Sequence, residues 1–159
     1  MKNNAIKIIL WDYGGVLTES PIKNFRKFEN DNNYSLNTII NINSDNKYNN
    51  AWAKLEKDEI SIEKFSKLFR EEAKQFGIQN INTDKLLECL NVKLNIKMVE
   101  LLENVSKFYS CVCLTNNFKK MSSSDFENIK HNFSLIIESC KIGLRKPEKQ
   151  IYKYVLEVL

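Results

Sequence analysis

The chain has 159 residues, with 24 Lys plus Arg against 20 Asp plus Glu and a formal charge of +4. Hydrophobic residues make up 43% and aromatics 11%, enough for a core of its own, which excludes a disordered chain. The longest apolar runs, Ile8-Ile9-Leu10-Trp11 and Leu135-Ile136-Ile137, are far short of the roughly 20 residues that span a bilayer, and Met1 to Ala5 has no signal-peptide core, so a cytoplasmic protein without membrane association is expected.

The first strand runs from Ile6 to Trp11, a near-continuous apolar stretch of the kind buried on both faces of a parallel sheet. Asp12-Tyr13-Gly14-Gly15 ends it, and paired glycines there allow a sharp turn and close backbone approach. From about Ser20 to Lys93 the pattern reads as helices separated by Asn-rich turns. The clearest helix has Ser61 as its N-cap and ends at Gly77, with Ile62, Phe65, Phe69 and Phe76 as an apolar stripe. Another helix follows Thr83, and one more runs from Ile96 to Lys107.

Strands and helices then alternate. Phe108 to Leu114 is a second strand ending at Thr115-Asn116-Asn117, and Ser122 to His131 is a short helix. Phe133 to Glu138 is a third strand, and Pro147 opens the last helix, whose buried face is Ile151, Tyr154, Val155 and Val158. This order specifies an α/β protein with a mostly parallel, Rossmann-like sheet. Residues 1–19 and 94–159 form the core, and 20–93 form an inserted helical cap.

Several features have plain readings. Lys residues alternate with Glu and Asp along the helical stretches, so the basic excess is a solvated surface and no nucleic-acid partner is expected. Only Arg26, Arg70 and Arg145 carry guanidinium groups. The four cysteines (Cys89, Cys111, Cys113 and Cys140) suit a reducing compartment, and no ligand spacing suggests zinc. His131, the single histidine, ends a helix.

Three polar residues fall at strand ends, where ligands bind such sheets. They are Asp12 after the first strand, Thr115 after the second and Lys146 in the loop after the third. Each is ordinary alone, as a cap or turn residue. Together, a carboxylate, a hydroxyl and an ammonium suit phosphoryl transfer: the carboxylate attacks phosphorus, while hydroxyl and ammonium hold the phosphate oxygens.

The segments carrying these residues also resemble a known family. Ile8 to Thr18 (IILWDYGGVLT), Leu114 to Asn117 (LTNN) and Gly143 to Tyr152 (GLRKPEKQIY) are similar to motifs I, II and III of the haloacid dehalogenase-like (HAD) hydrolase superfamily. Trp52 to Glu56 (WAKLE) and Glu59 to Phe65 (EISIEKF) resemble the helical cap of one branch. That branch includes the phosphatase domain of soluble epoxide hydrolases and phosphatase-like domains fused to acyl-CoA dehydrogenases. The resemblance implies a Mg2+-dependent phosphatase of small organic phosphates working through an aspartyl-phosphate. Asp12 would be the nucleophile, Lys146 would stabilise it, and Thr115, Asn116 and Gly15 would hold the phosphate. Mg2+ would sit on Asp12 and the backbone carbonyl of Gly14.

The sequence departs from the family pattern twice. Gly14 stands where most members carry an acidic general acid, and positioned acid–base help is worth typically about 10²–10⁴-fold. The fourth motif, an acidic pair after a further strand, would follow Lys146-Pro147, and the sequence ends at Leu159. The expectation is therefore a truncated chain with a weak Mg2+ site and little or no turnover. The first strand would be an open edge, inviting a homodimer. Two alternatives remain open: a metal-independent haloacid dehalogenase, or a non-catalytic phosphate-binding or interaction domain. In either enzymatic reading the partner is a small molecule.

Overall fold

The computed structural model describes residues 6–119 and 124–159. Its sheet contains β1 (Ile8–Trp11), β2 (Ser110–Thr115) and β3 (Leu135–Glu138), in the order β1-β2-β3. Both pairings are parallel, with Ile8 opposite Ser110, Trp11 opposite Cys113, and Thr115 opposite Glu138. Parallel register puts every carboxyl-terminal strand end on one rim. Asp12, Thr115 and Glu138 therefore share that rim.

The helices are α1 (Ile22–Asp31), α2 (Thr38–Ser44), α3 (Ala51–Glu56), α4 (Ile62–Gln75), α5 (Thr83–Glu88), α6 (Ile96–Val105), α7 (Ser124–Ile129), α8 (Ser139–Ile142) and α9 (Lys149–Val158). Side chains alternate along each strand, so the sheet has two apolar faces. Trp11 and Cys111 pack under Val99 and Leu102 of α6 and Ile129 of α7. Val112, Leu114 and Ile137 pack on the other face under Ile151 and Val155 of α9. The result is a three-layer α/β/α arrangement.

Helices α1 to α5 have a separate core. Phe25, Phe28, Ile39, Ile42, Trp52 and Phe65 are among its buried members. Trp52 meets Phe65 edge-on at 5.4 Å between centroids, and Phe65 lies 5.4 Å from Phe69, near the favoured separations for aromatic pairs. Glu29 of α1 is buried, and its carboxylate accepts the backbone amides of Asn37 and Ile39, both at 2.8 Å, so it caps α2. Two short connections join this unit to the sheet. The Glu19 amide donates to the Lys93 carbonyl at 2.8 Å, the Asn95 amide donates to the Leu17 carbonyl at 2.9 Å, and Thr18 bridges Leu94.

Several element limits differ from the sequence-based expectation. The second strand starts at Ser110, because the amides of Phe108 and Tyr109 both donate to the Val105 carbonyl and close a turn that leaves Phe108 exposed. Thr115 is thus the last strand residue. The third strand starts at Leu135, and the first at Ile8. Pro147 does not open the last helix: the Glu148 amide donates to the Arg145 carbonyl across a turn, and α9 begins at Lys149. Val158 is exposed rather than buried, and so is Phe76, which caps the end of α4. Residues 122 and 123 of the short helix expected from Ser122 to His131 lie outside the described residues, as do Met1 to Ala5. Among the described residues no helix is long and apolar enough to cross a membrane.

Phe65 and Phe69 are fully buried at the centre of the α1–α5 unit. Phe65→Ala should lower unfolding stability by about 3–5 kcal/mol, read as a fall in the urea midpoint.

Candidate functional site

The rim of the sheet faces helices α1 and α3 across a cavity of about 920 Å³, within the range of small-molecule sites. Asp12, Gly14, Thr115, Asn116 and Lys146 all line it. Three residues remote in sequence, Asp12, Thr115 and Lys146, therefore meet at one place. Phe25 and Trp52 supply apolar wall from the cap side, and Lys130 and Lys141 line it paired with Glu127 and Glu138.

The shortest contact in this group is an ion pair. Lys146 Nζ lies 2.6 Å from Asp12 Oδ1 and donates to the Leu114 carbonyl at 2.8 Å. The Asp12 side chain is 43% exposed and that of Lys146 20%, so the cation is fixed while the carboxylate stays open to the cavity. Thr115 is buried beside them, its hydroxyl donating to the Asn116 carbonyl at 3.4 Å.

Between Asp12 and Thr18 the backbone turns back on itself, and the Thr18 amide donates to the Tyr13 carbonyl at 3.1 Å. Gly15 takes φ +80° there, the left-handed region that side-chain-bearing residues disfavour. Its amide donates to Thr18 Oγ1 at 3.0 Å, and it lies outside the cavity lining. Gly14 is different: φ −68° and ψ 116° suit any residue, and a Cβ there would meet nothing within 4 Å.

The Asn116 side chain is heavily engaged. Its Nδ2 donates to the Lys146 carbonyl and to Glu56 Oε2, both at 3.0 Å, and its Oδ1 accepts the Lys146 amide at 2.9 Å. Asn117 Nδ2 donates to Glu138 Oε1 at 2.6 Å, and Glu138 also pairs with Lys141.

Sequence reasoning gave no role to Glu56 or Arg145, yet both are buried at this site. Arg145 Nε donates to Glu56 Oε2 at 2.6 Å, and Arg145 Nη1 donates to the Lys47 carbonyl at 2.7 Å. Burial pushes the Glu56 carboxyl up from its ordinary value, while the Arg145 guanidinium beside it pulls the other way. One signal could have found the pair: in a chain so rich in Lys, Arg145 is one of three arginines, and Arg suits buried, geometrically fixed pairs.

Among the described residues no three His, Cys, Asp or Glu side chains converge to hold a metal ion. The donors that the family resemblance implies, the Asp12 carboxylate and the Gly14 carbonyl, belong to residues that both line the cavity. That sparse set fits Mg2+, which binds through one or two carboxylates, waters and substrate phosphate oxygens.

All four cysteines are free and buried. Burial pushes the Cys113 thiol up to about 12. Thiolate is the form that alkylates, and at pH 8 such a thiol is ionised in roughly one molecule in ten thousand. Cys113 of the native protein should stay unmodified by iodoacetamide at pH 8 and react once urea unfolds the chain, as read by mass spectrometry.

No family model matches the chain. Among curated proteins it is 24% identical to mouse acyl-CoA dehydrogenase family member 10 over 161 residues, covering 98% of this chain and 15% of that protein. It is 32% identical to pig bifunctional epoxide hydrolase 2 over 92 residues, covering 53% of this chain and 16% of that protein. The chain thus spans about one-sixth of the length of these relatives. Among solved structures it resembles a HAD-family enzyme from Bacteroides thetaiotaomicron in complex with magnesium and inorganic phosphate, with a TM-score of 0.60 and 23% identity over 97% of this chain and 79% of that one. A magnesium-bound HAD-hydrolase from Bacillus subtilis superposes with a TM-score of 0.64 at 17% identity, covering 98% and 75%. An L-2-haloacid dehalogenase from Xanthobacter autotrophicus, with chloropropionic acid covalently bound, gives 0.60 at 13% identity, covering 98% and 65%. The chain has the Rossmann-like α/β fold of HAD-family enzymes.

Proposed function

We propose that this chain is a HAD-type hydrolase acting on small organic phosphate monoesters through an aspartyl-phosphate on Asp12. The supporting observation is the Lys146 ammonium fixed 2.6 Å from the open Asp12 carboxylate, on a rim that Thr115 shares. In the first step an Asp12 oxygen attacks phosphorus. The bond from phosphorus to the ester oxygen breaks, and the departing alkoxide takes a proton from water. In the second step water attacks the same phosphorus, the bond to Asp12 breaks, and inorganic phosphate leaves with the carboxylate restored.

Lys146 and the Thr115 hydroxyl hold the phosphoryl oxygens and offset the charge that builds on them. Gly14 supplies no proton, so alcohols that are good leaving groups should react best. Asp12 and the Gly14 carbonyl would hold Mg2+, which when bound supplies positive charge against the phosphate oxygens.

The fold likeness to an L-2-haloacid dehalogenase supports a second reading, in which an Asp12 oxygen displaces halide from carbon without a metal. Two assays separate the readings. Slow release of p-nitrophenol from p-nitrophenyl phosphate, dependent on Mg2+ and lowered by more than about 10³-fold in Asp12→Asn, is the expected result. Chloride release from 2-chloropropionate in the absence of metal would favour the second reading. Thermal stabilisation by inorganic phosphate without turnover in either assay would mark a non-catalytic binding domain.

A further inference from the structure

Glu56 lies at the seam between the α1–α5 unit and the sheet, and its carboxylate is bonded to both sides. Trp52 Nε1, on the same helix, donates to Oε1 at 3.1 Å. Arg145 and Asn116, from the two loops at the sheet rim, both donate to Oε2. A carboxylate only accepts, so it turns the Asn116 amide with Nδ2 toward itself and leaves Oδ1 for the Lys146 amide. The same Asn116 side chain thereby brackets the backbone of Lys146 at both its amide and its carbonyl.

We propose that Glu56 is a positioning residue: seating α3 against the core orients Asn116, and Asn116 in turn sets the Lys146 backbone so that its ammonium reaches Asp12. The inference rests on the reading of Asp12 and Lys146 as the reacting pair. It makes assembly of the site depend on docking of the cap.

Two further pairs flank Glu56 across the same seam. Lys57 lies 3.6 Å from Glu148, and Asp58 lies 2.5 Å from Lys119. Phe118, from the loop after β2, inserts into the aromatic core of the cap. Stability alone is a poor reason for the buried Glu56–Arg145 pair, since replacing such pairs with apolar residues is often neutral or stabilising. Glu56 never touches Asp12 or the Lys146 ammonium. Its influence on Lys146 therefore passes through the Asn116 side chain, which it shares with the Lys146 backbone.

The test is a double-mutant cycle on the full chain with p-nitrophenyl phosphate and Mg2+. Glu56→Gln should lower kcat by about 10- to 100-fold with KM changed by less than about threefold. On an Asn116→Ala background the same change should remove less than a further factor of about two, because the pathway is already broken. Losses that multiply, or a fall in thermal stability with kcat unchanged, would overturn the proposal. Should Glu56→Gln fail to fold, Glu56→Leu with Arg145→Met replaces the pair by apolar bulk, and the same loss of kcat is expected.

A second readout does not depend on turnover. Labelling of Lys146 by an amine-reactive ester, followed by peptide mass spectrometry, should be several-fold faster in Glu56→Gln than in the parent, with Lys130 and Lys141 unchanged. Equal labelling of Lys146 in both proteins refutes the positioning role. If the parent chain hydrolyses nothing while this labelling difference appears, the phosphatase reading fails and the positioning of Lys146 stands.

Discussion

The ammonium of Lys146 lies between the Asp12 carboxylate, just past the end of β1, and the Leu114 carbonyl in β2. One side chain from the loop before α9 therefore joins the first two strands at the carboxyl-terminal rim of the sheet. This contact is available only because the strands are parallel and in register. A slip of one residue would turn every strand side chain to the opposite face and carry the strand-end groups out of alignment. The apolar alternation that buries Trp11 and Cys111 on one face, and Val112 and Leu114 on the other, is thus also what aligns the rim.

The cap has a different logic. Its aromatic core is built from α1 to α5 with Phe118 added from the loop after β2, and its two connections at residues 17–19 and 93–95 are narrow. Closer coupling comes from consecutive charges at the end of α3 and just beyond it, and from Phe118 reaching up from the core. Glu56 is the buried charge of that set. The seam couples a unit that shapes the cavity wall to the loop that carries Lys146.

Much of this was legible in the sequence. The three strands, the α4 helix with its Ser61 cap, and the meeting of Asp12, Thr115 and Lys146 follow from apolar runs, capping chemistry and the position of polar residues at strand ends. Limits were harder to place, because turns such as the one at Val105 to Tyr109 are closed by backbone bonds that leave little trace in side-chain pattern. Buried carboxylates were the least legible. Glu29 and Glu56 stand in helices that also carry Lys, where a Glu ordinarily reads as solvated. Only the three-dimensional arrangement shows one accepting two backbone amides and the other an arginine and an asparagine. The exposure of Val158 and Phe76 has a similar origin: helical periodicity names a face but not where the opposing surface ends.

Gly14 and Gly15 stand side by side and carry opposite constraints. The backbone at position 15 is left-handed and favours glycine. At position 14 the dihedral angles are ordinary and the space beside the α-carbon is empty, so the chain could bear a side chain there without refolding its turn. The absence of an acidic side chain at this position is therefore a matter of residue identity rather than backbone architecture, and a single codon change would place a carboxylate two residues after Asp12 without altering the turn.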